Sequence, residues 1–245
     1  MEKITSINNE YIKYLNSLHQ KKNRTKYKEL LIEGKHLVDE AYKLNILKVI
    51  ISTEETELEK YDVRKVLVND VILNKISTTV TPQKVMGVVK LEQQQFCFNT
   101  DYCLLDNISD PGNMGTIIRT SLALGIKNIL VSSDSVDVYN EKTIRATQGT
   151  IFKANIYIDD LENIYKLLKK QNVTIVTTDL KATKKVEELS IKNNFCIVLG
   201  NEANGISELS KKMADESVII PLKNDVESLN VAVAYSIVLY QLKKE

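Results

Sequence analysis

Five polar residues carry the chemistry this chain can offer: Asn113, Arg119, Glu202, Ser228 and Asn230. The first two belong to DNISDPGNMGTIIRTSLALG, Asp106 to Gly125, where a loop with Pro111, Gly112, Asn113 and Gly115 leads into a helix. Glycines there let backbone N–H groups approach an anion. Arg119, about one turn in, is placed to reach the same ligand. Neither GxxxxGK[ST] nor GxGxxG is present, so this is no P-loop or dinucleotide fingerprint. Glu202 lies in LGNEANGIS, Leu199 to Ser207, whose Gly200, Asn204 and Gly205 tolerate positive φ. Its carboxylate sits mid-loop at the end of a buried-strand-like run, open to reading as a ligand contact or as a solvated loop charge. Ser228 and Asn230 stand at the mouth of a long apolar run, where a helix start leaves N–H groups unpaired.

Stepping along the chain gives the elements that must hold these groups. Residues 7–20 read as an amphipathic helix with Ile7, Tyr11, Tyr14, Leu15 and Leu18 on one side. Between Tyr11 and Lys28 there is no acidic residue, while Lys13, Lys21, Lys22, Arg24, Lys26 and Lys28 accumulate around Tyr14 and Tyr27. Charge alone leaves two readings open, a solvated helix end or a phosphate-contacting patch. Strand and helix patterns then alternate to Leu91. Glu92–Thr100 reads as a linker, giving limits of 1–92, 93–100 and 101–245.

Beyond the linker, apolar runs at Tyr102–Leu105, Asn128–Val131, Ala154–Tyr157, Val173–Thr177, Phe195–Leu199 and Val218–Ile220 are separated by helical patterns. That alternation predicts an α/β fold with a mostly parallel sheet covered on both faces. The three polar clusters follow strands, where open α/β sheets bind ligands. Pro221 stops the last strand, and the polar island 223–228 follows it. From Leu229 to Leu242 the chain is apolar almost all round, which predicts a helix buried on every face, in a core or against another subunit.

Composition narrows the class. The 245 residues are 43% hydrophobic and 27% charged, with a net charge of +1. That supports a real core and excludes a general polyanion coat, so any nucleic-acid contact must be a local patch. No apolar run reaches membrane-span length, and the first residues lack a signal region, so a cytoplasmic protein is expected. Cys97, Cys103 and Cys196 read as reduced core residues. With only His19 and His36 as histidines, neither metal nor histidine chemistry is expected. Arginine occurs only as Arg24, Arg64, Arg119 and Arg145, and its planar fork suits phosphate.

The runs DPGNMGTIIRTSLALG, IVLGNEANGIS and IIPLKNDVESLNVAVA resemble motifs one, two and three of the SpoU (TrmH-type) RNA ribose 2′-O-methyltransferases of the SPOUT class. Residues 7–41 resemble the ribosomal-protein-like substrate-binding domain attached to many of them. The resemblance implies a knotted parallel sheet with a deep trefoil knot. It implies S-adenosylmethionine held by backbone around Leu199, Gly200, Ile220, Leu222 and Leu229, and a homodimer formed through the C-terminal domain. Arg119 would be the residue most tied to catalysis, Glu202 the competing base on ordinary pKa grounds, and Asn113, Ser228 and Asn230 would orient the ribose and the loops. The RNA, most expected to be ribosomal, would meet Lys21, Lys22, Arg24, Lys26, Lys28 and Arg145. Ala203 and Asn224 occupy positions usually held by glycine. Ala203 is tolerable only at negative φ, whereas Asn visits the left-handed region readily. A non-enzymatic RNA-binding protein on this scaffold and an antibiotic-resistance methyltransferase remain as alternatives.

Overall fold

The computed structural model describes residues 1–92, 95–224 and 227–244. Residues 93 and 94 of the expected linker, and Asp225 and Val226 of the polar island, lie outside the described residues. Two compact units form, Met1–Gln93 with Tyr139–Phe152, and Gln94–Val138 with Lys153–Glu245.

In chain order the first elements are β1 (Glu2–Lys3), α1 (Glu10–Ser17), α2 (Lys21–Tyr27), β2 (Glu29–Glu33), α3 (Lys35–Lys43) and β3 (Leu47–Ser52). Next come α4 (Glu55–Leu58), β4 (Arg64–Leu67), α5 (Asp70–Ile76) and β5 (Val85–Lys90). They are followed by β6 (Tyr102–Asp106), α6 (Pro111–Ala123), β7 (Asn128–Ser132), α7 (Glu141–Thr147), β8 (Asn155–Asp159) and α8 (Leu161–Lys169). Last are β9 (Thr174–Thr178), β10 (Lys184–Lys185), β11 (Phe195–Gly200), α9 (Glu208–Met213), β12 (Glu216–Ile219) and α10 (Val231–Leu242).

The first unit holds a mixed sheet in the order β1-β4-β3-β5-β2. Its pairs are parallel between β1 and β4 and between β4 and β3, and antiparallel between β3 and β5 and between β5 and β2. Asn9 caps α1 by accepting from the Tyr11 N–H at 2.8 Å, so the helix starts later than periodicity predicted. Ile7 falls before it and is 38% exposed; Ile12 takes the core position, with Leu15 and Leu18. Each such buried side chain contributes about 1.5–3 kcal/mol.

Helix α7 belongs with this first unit, although the expected limits placed residues 139–152 in the second. The His19 ring lies between Glu141 Oε1 at 2.8 Å and the Ile76 carbonyl at 2.9 Å. The Glu141 hydrogen bond holds the imidazole above its ordinary pKa, and the same bond holds the Glu141 carboxyl below its own. No periodicity in the sequence shows which sheet a single helix will join.

The second unit is a parallel sheet in the order β10-β12-β9-β11-β6-β7-β8. Side chains alternate across it. Tyr102, Leu104, Cys196 and Val198 pack under Ile164, Tyr165 and Leu168 of α8. Helix α10 packs on α6 and β11, and the Tyr235 and Ser121 hydroxyls meet at 2.6 Å between the two helices. Ala232, Tyr235, Val238 and Leu239 are buried, but Val233, Ile237 and Tyr240 are exposed. In the single chain the last helix is therefore not buried on every face, as its composition predicted, but apolar on an exposed side too. Cys103 and Cys196 are core residues as expected, while Cys97 is exposed.

Candidate functional site

The three polar clusters meet through side chains at the C-terminal edge of this parallel sheet. Asp110 is the N-cap of α6, its carboxylate accepting from the Asn113 N–H at 2.8 Å. Pro111 follows in the first turn, where its missing N–H costs nothing. The helix therefore starts inside the glycine-rich run, and Arg119 stands in its third turn, about 12 Å along the axis from Pro111, not one turn in.

The anion expected at that helix start is the protein's own. Glu202 accepts from the Ser109 N–H at 3.1 Å, the Ser109 hydroxyl at 2.6 Å, the Asp110 N–H at 3.1 Å and the Asn113 amide at 2.9 Å. The Asn113 carbonyl in turn accepts from the Asn230 amide at 2.8 Å. Asn230 is the N-cap of α10, accepting from the Ala232 N–H at 2.9 Å. One relay, Asn230 to Asn113 to Glu202, ties all three loops together. Partial burial pushes the Glu202 carboxyl up, but the Asn113 and Ser109 donors outweigh it and hold the group at about 2. A carboxylate so saturated is a poor proton acceptor near neutral pH, which counts against Glu202 as the base.

The loop carrying Glu202 is closed at its root. Asn201 and Gly205 exchange N–H···O bonds of 2.9 Å in both directions, and the Asn201 side chain accepts from the N–H groups of Ala203 and Asn204. A Cβ on Gly200 would lie 2.2 Å from the Gly205 carbonyl carbon and the Ile206 nitrogen, so the close return of the chain requires glycine there. Ala203 is not among the positive-φ residues, which meets its condition, and Asn224 does adopt φ 58°.

Arg119 and Ser228 differ from the relay. Both are exposed, and among the described residues neither side chain has a hydrogen-bond or ion-pair partner. The relay groups are thus mutually saturated, while the Arg119 guanidinium, further along α6, is unengaged among the described residues.

Residues 102–240 match the profile of the SpoU rRNA Methylase family, and residues 9–87 match the MRM3-like substrate binding domain. The chain belongs to the SpoU rRNA methylase family. Among its relatives is the 23S rRNA (guanosine(2553)-2'-O)-methyltransferase RlmP of Bacillus subtilis, 32% identical over 99% of this chain and 100% of that protein. An uncharacterized tRNA/rRNA methyltransferase of Synechocystis is 30% identical over 99% of this chain and 93% of that one. The AdoMet-bound rRNA methyltransferase of Sinorhizobium meliloti superposes with a TM-score of 0.87 at 26% identity, covering 99% of this chain and 97% of that chain.

In this SpoU methylase the expected cofactor residues lie along the same sheet edge. Leu199 and Gly200 end β11, Ile220 and Leu222 follow β12, and Leu229 precedes α10. Leu199 is buried; Gly200, Ile220, Leu222 and Leu229 are half-buried. The peptide groups of Leu222 and Leu229 have no hydrogen-bond partner among the described residues. Apolar side chains beside free peptide donors and acceptors fit a ligand with a planar base and a polar amino-acid tail.

The expected RNA contacts divide. Lys21, Lys22, Lys26 and Lys28 are exposed, and none is in an ion pair among the described residues. Arg24 is only 4% exposed, and its guanidinium donates to the carbonyls of Leu18 at 2.9 Å and His19 at 2.6 Å. It closes the α1–α2 corner and is withdrawn from the RNA set. Arg145 is half-buried on α7, 3.5 Å from the Thr78 hydroxyl. Sequence reasoning overlooked Ser109 and Asp110, although Asp before Pro is a readable helix-start signal. It also overlooked Asp106, 1% exposed, which accepts from the Ser207 N–H at 2.8 Å and the Ser210 hydroxyl at 2.6 Å and so anchors the far side of the Glu202 loop.

Proposed function

We propose that the chain transfers the methyl group of S-adenosylmethionine to a ribose 2′-hydroxyl of 23S ribosomal RNA. The observation that carries this reading is the Asn230–Asn113–Glu202 relay, which ties the three family motifs together at one sheet edge. The relative from Bacillus subtilis supports the RNA class. When bound, S-adenosylmethionine supplies a methyl already activated on a sulfonium. Leu199, Gly200, Ile220, Leu222 and Leu229 would hold it, and the protein's remaining task is to align and dehydrate the reacting atoms.

In this scheme Arg119 grips the phosphate beside the target ribose. Always protonated when free, it takes part in removing the hydroxyl proton only with that phosphate engaged. Ser228 orients the ribose. Asn113, Glu202 and Asn230 position the loops and are not the base. The bound donor would supply the methyl and take up the sulfonium's bonding electrons, and this chain's part is to let the hydroxyl proton leave through the arginine–phosphate pair to water.

The same proposal includes the RNA-binding role of residues 1–92, with 139–152 joined to that unit, and a catalytic part within 101–245. It includes a threaded, knotted C-terminal segment and a homodimer that covers Val233, Ile237 and Tyr240, the exposed apolar stripe of α10. It also includes a cytoplasmic location. No helix among the described residues is long and apolar enough to cross a membrane.

Ribose methylation of 23S RNA, mapped in cells with and without the protein, tests the reading. One 2′-O-methyl mark is expected to vanish on deletion and return on complementation. An unchanged map, together with no binding of S-adenosylmethionine in a titration of the purified chain, would refute it and favour the non-catalytic alternative.

A further inference from the structure

The first unit carries an aromatic file that the methyl-transfer scheme does not use. On α1 the Tyr11 and Tyr14 rings stack with centroids 5.6 Å apart, and Tyr27 of α2 meets Tyr14 edge-on at 5.0 Å. A cation closes each end. The Arg64 guanidinium lies 4.2 Å from the Tyr11 centroid, and the Lys26 ammonium 5.0 Å from that of Tyr27. Tyr11 and Tyr14 are half-buried against the core, and the Tyr14 hydroxyl donates to Glu29. Tyr27 ends the file at the surface, 41% exposed. Its backbone is fixed on both sides, by the buried Arg24 bonds three residues earlier and by Lys28, which leaves the helix at φ 53°.

The Tyr27 ring is held against Tyr14 and covered by the Lys26 ammonium, an exposed cation that can swing aside to a phosphate, so that displacing it turns the ring into a stacking platform. Lys21, Lys22, Lys26 and Lys28 surround it in sequence and are exposed without ion-pair partners among the described residues. Phosphate-binding cations around an exposed aromatic ring match single-stranded nucleic acid, in which a base can leave its stack and lie on the ring. A regular duplex keeps its bases stacked inside and offers such a ring nothing but phosphates.

We infer that α2 is a reading head for an unpaired nucleotide, with Tyr27 stacking one base and the four lysines holding the flanking phosphates. The inference rests on the proposed RNA substrate and narrows it. The first unit selects a loop or bulge near the methylated ribose, not a continuous helix. The recognition is tolerant of base identity, because every base presents a π-face.

The test uses the full-length protein and two RNA probes, a hairpin with 2-aminopurine in its loop and a blunt duplex of the same stem. Binding to wild type is expected to quench the loop fluorophore. Tyr27→Ala is expected to remove that quenching and weaken hairpin binding at least about fivefold, the lower end of what one stacked base contributes. Tyr27→Phe and Tyr27→Trp should retain both. Duplex affinity should be the same in all three variants. Lys21→Glu with Lys22→Glu should weaken both probes and flatten the salt dependence of binding. Thermal unfolding of Tyr27→Ala separates a lost platform from a lost fold, and Tyr27→Leu, which keeps apolar bulk but has no π-face, repeats the test if the alanine variant unfolds. Hairpin quenching that survives in Tyr27→Ala, or an equal loss for hairpin and duplex, overturns the inference. Because neither outcome touches methyl transfer to 23S RNA by the wild type, it would fail without taking the proposed activity with it.

Discussion

Two arginines separate the two units. Arg24 sits in a run of lysines and is buried, its guanidinium satisfied by the Leu18 and His19 carbonyls. Arg119 sits in an apolar helix and is exposed, unengaged among the described residues. Local sequence points the wrong way for both. The contrast teaches that polar groups saturated by the protein are construction, while those left open are the ones the proposed function assigns to a ligand. Within the second unit the same distinction divides Asn113, Glu202 and Asn230 from Arg119 and Ser228.

The sharpest way to break that comparison is Arg119→Ala. Methyl transfer should fall about 10²–10³-fold, while the dissociation constant for S-adenosylmethionine, measured calorimetrically, stays within about twofold, well under 1.4 kcal/mol. An equal loss in both would make Arg119 part of the donor pocket. Arg24→Ala should do the opposite, destabilising the first unit by about 2–4 kcal/mol in urea unfolding, because buried carbonyls lose charged donors. Turnover per folded molecule should change little. Should Arg24→Ala retain full stability and lose RNA affinity, its reassignment was wrong.

Glu202→Gln gives the smallest effect and sharpens the division. Its carboxyl is held at about 2 in the fold against an ordinary 4.5. A lowered folded value means the stabilisation is present above 4.5 and is lost as pH falls through about 2. The variant should lose some stability at neutral pH and converge on wild type in acid. Its pH–rate profile should keep the wild-type shape, since a group titrating near 2 gives no limb near neutrality. Loss of an acidic limb in Glu202→Gln would restore Glu202 as the base.

Much of this was legible in the chain. Strands β6, β7, β9, β11 and β12 follow from short apolar runs ending in glycine, proline or polar residues, and the three loops fall where those runs stop. The relay was not legible, because Asn113, Glu202 and Asn230 become neighbours only when the β6–β11 pairing and the α6–α10 packing bring their loops together. Arg24 was misread because a basic run carries no periodicity to mark its one buried member. The final helix was misread in part because an apolar face looks the same in sequence whether a core or another surface covers it.

The discontinuity of the first unit has a consequence for synthesis. Helix α7 is encoded after the strands β6 and β7 of the other unit, yet its Glu141 carries the His19 contact. As the chain leaves the ribosome at about 5–20 residues per second, the amino-terminal sheet is complete seconds before the helix that finishes its packing has been translated. The protein that modifies ribosomal RNA thus emerges with its first half waiting, unfinished, on a piece of the second.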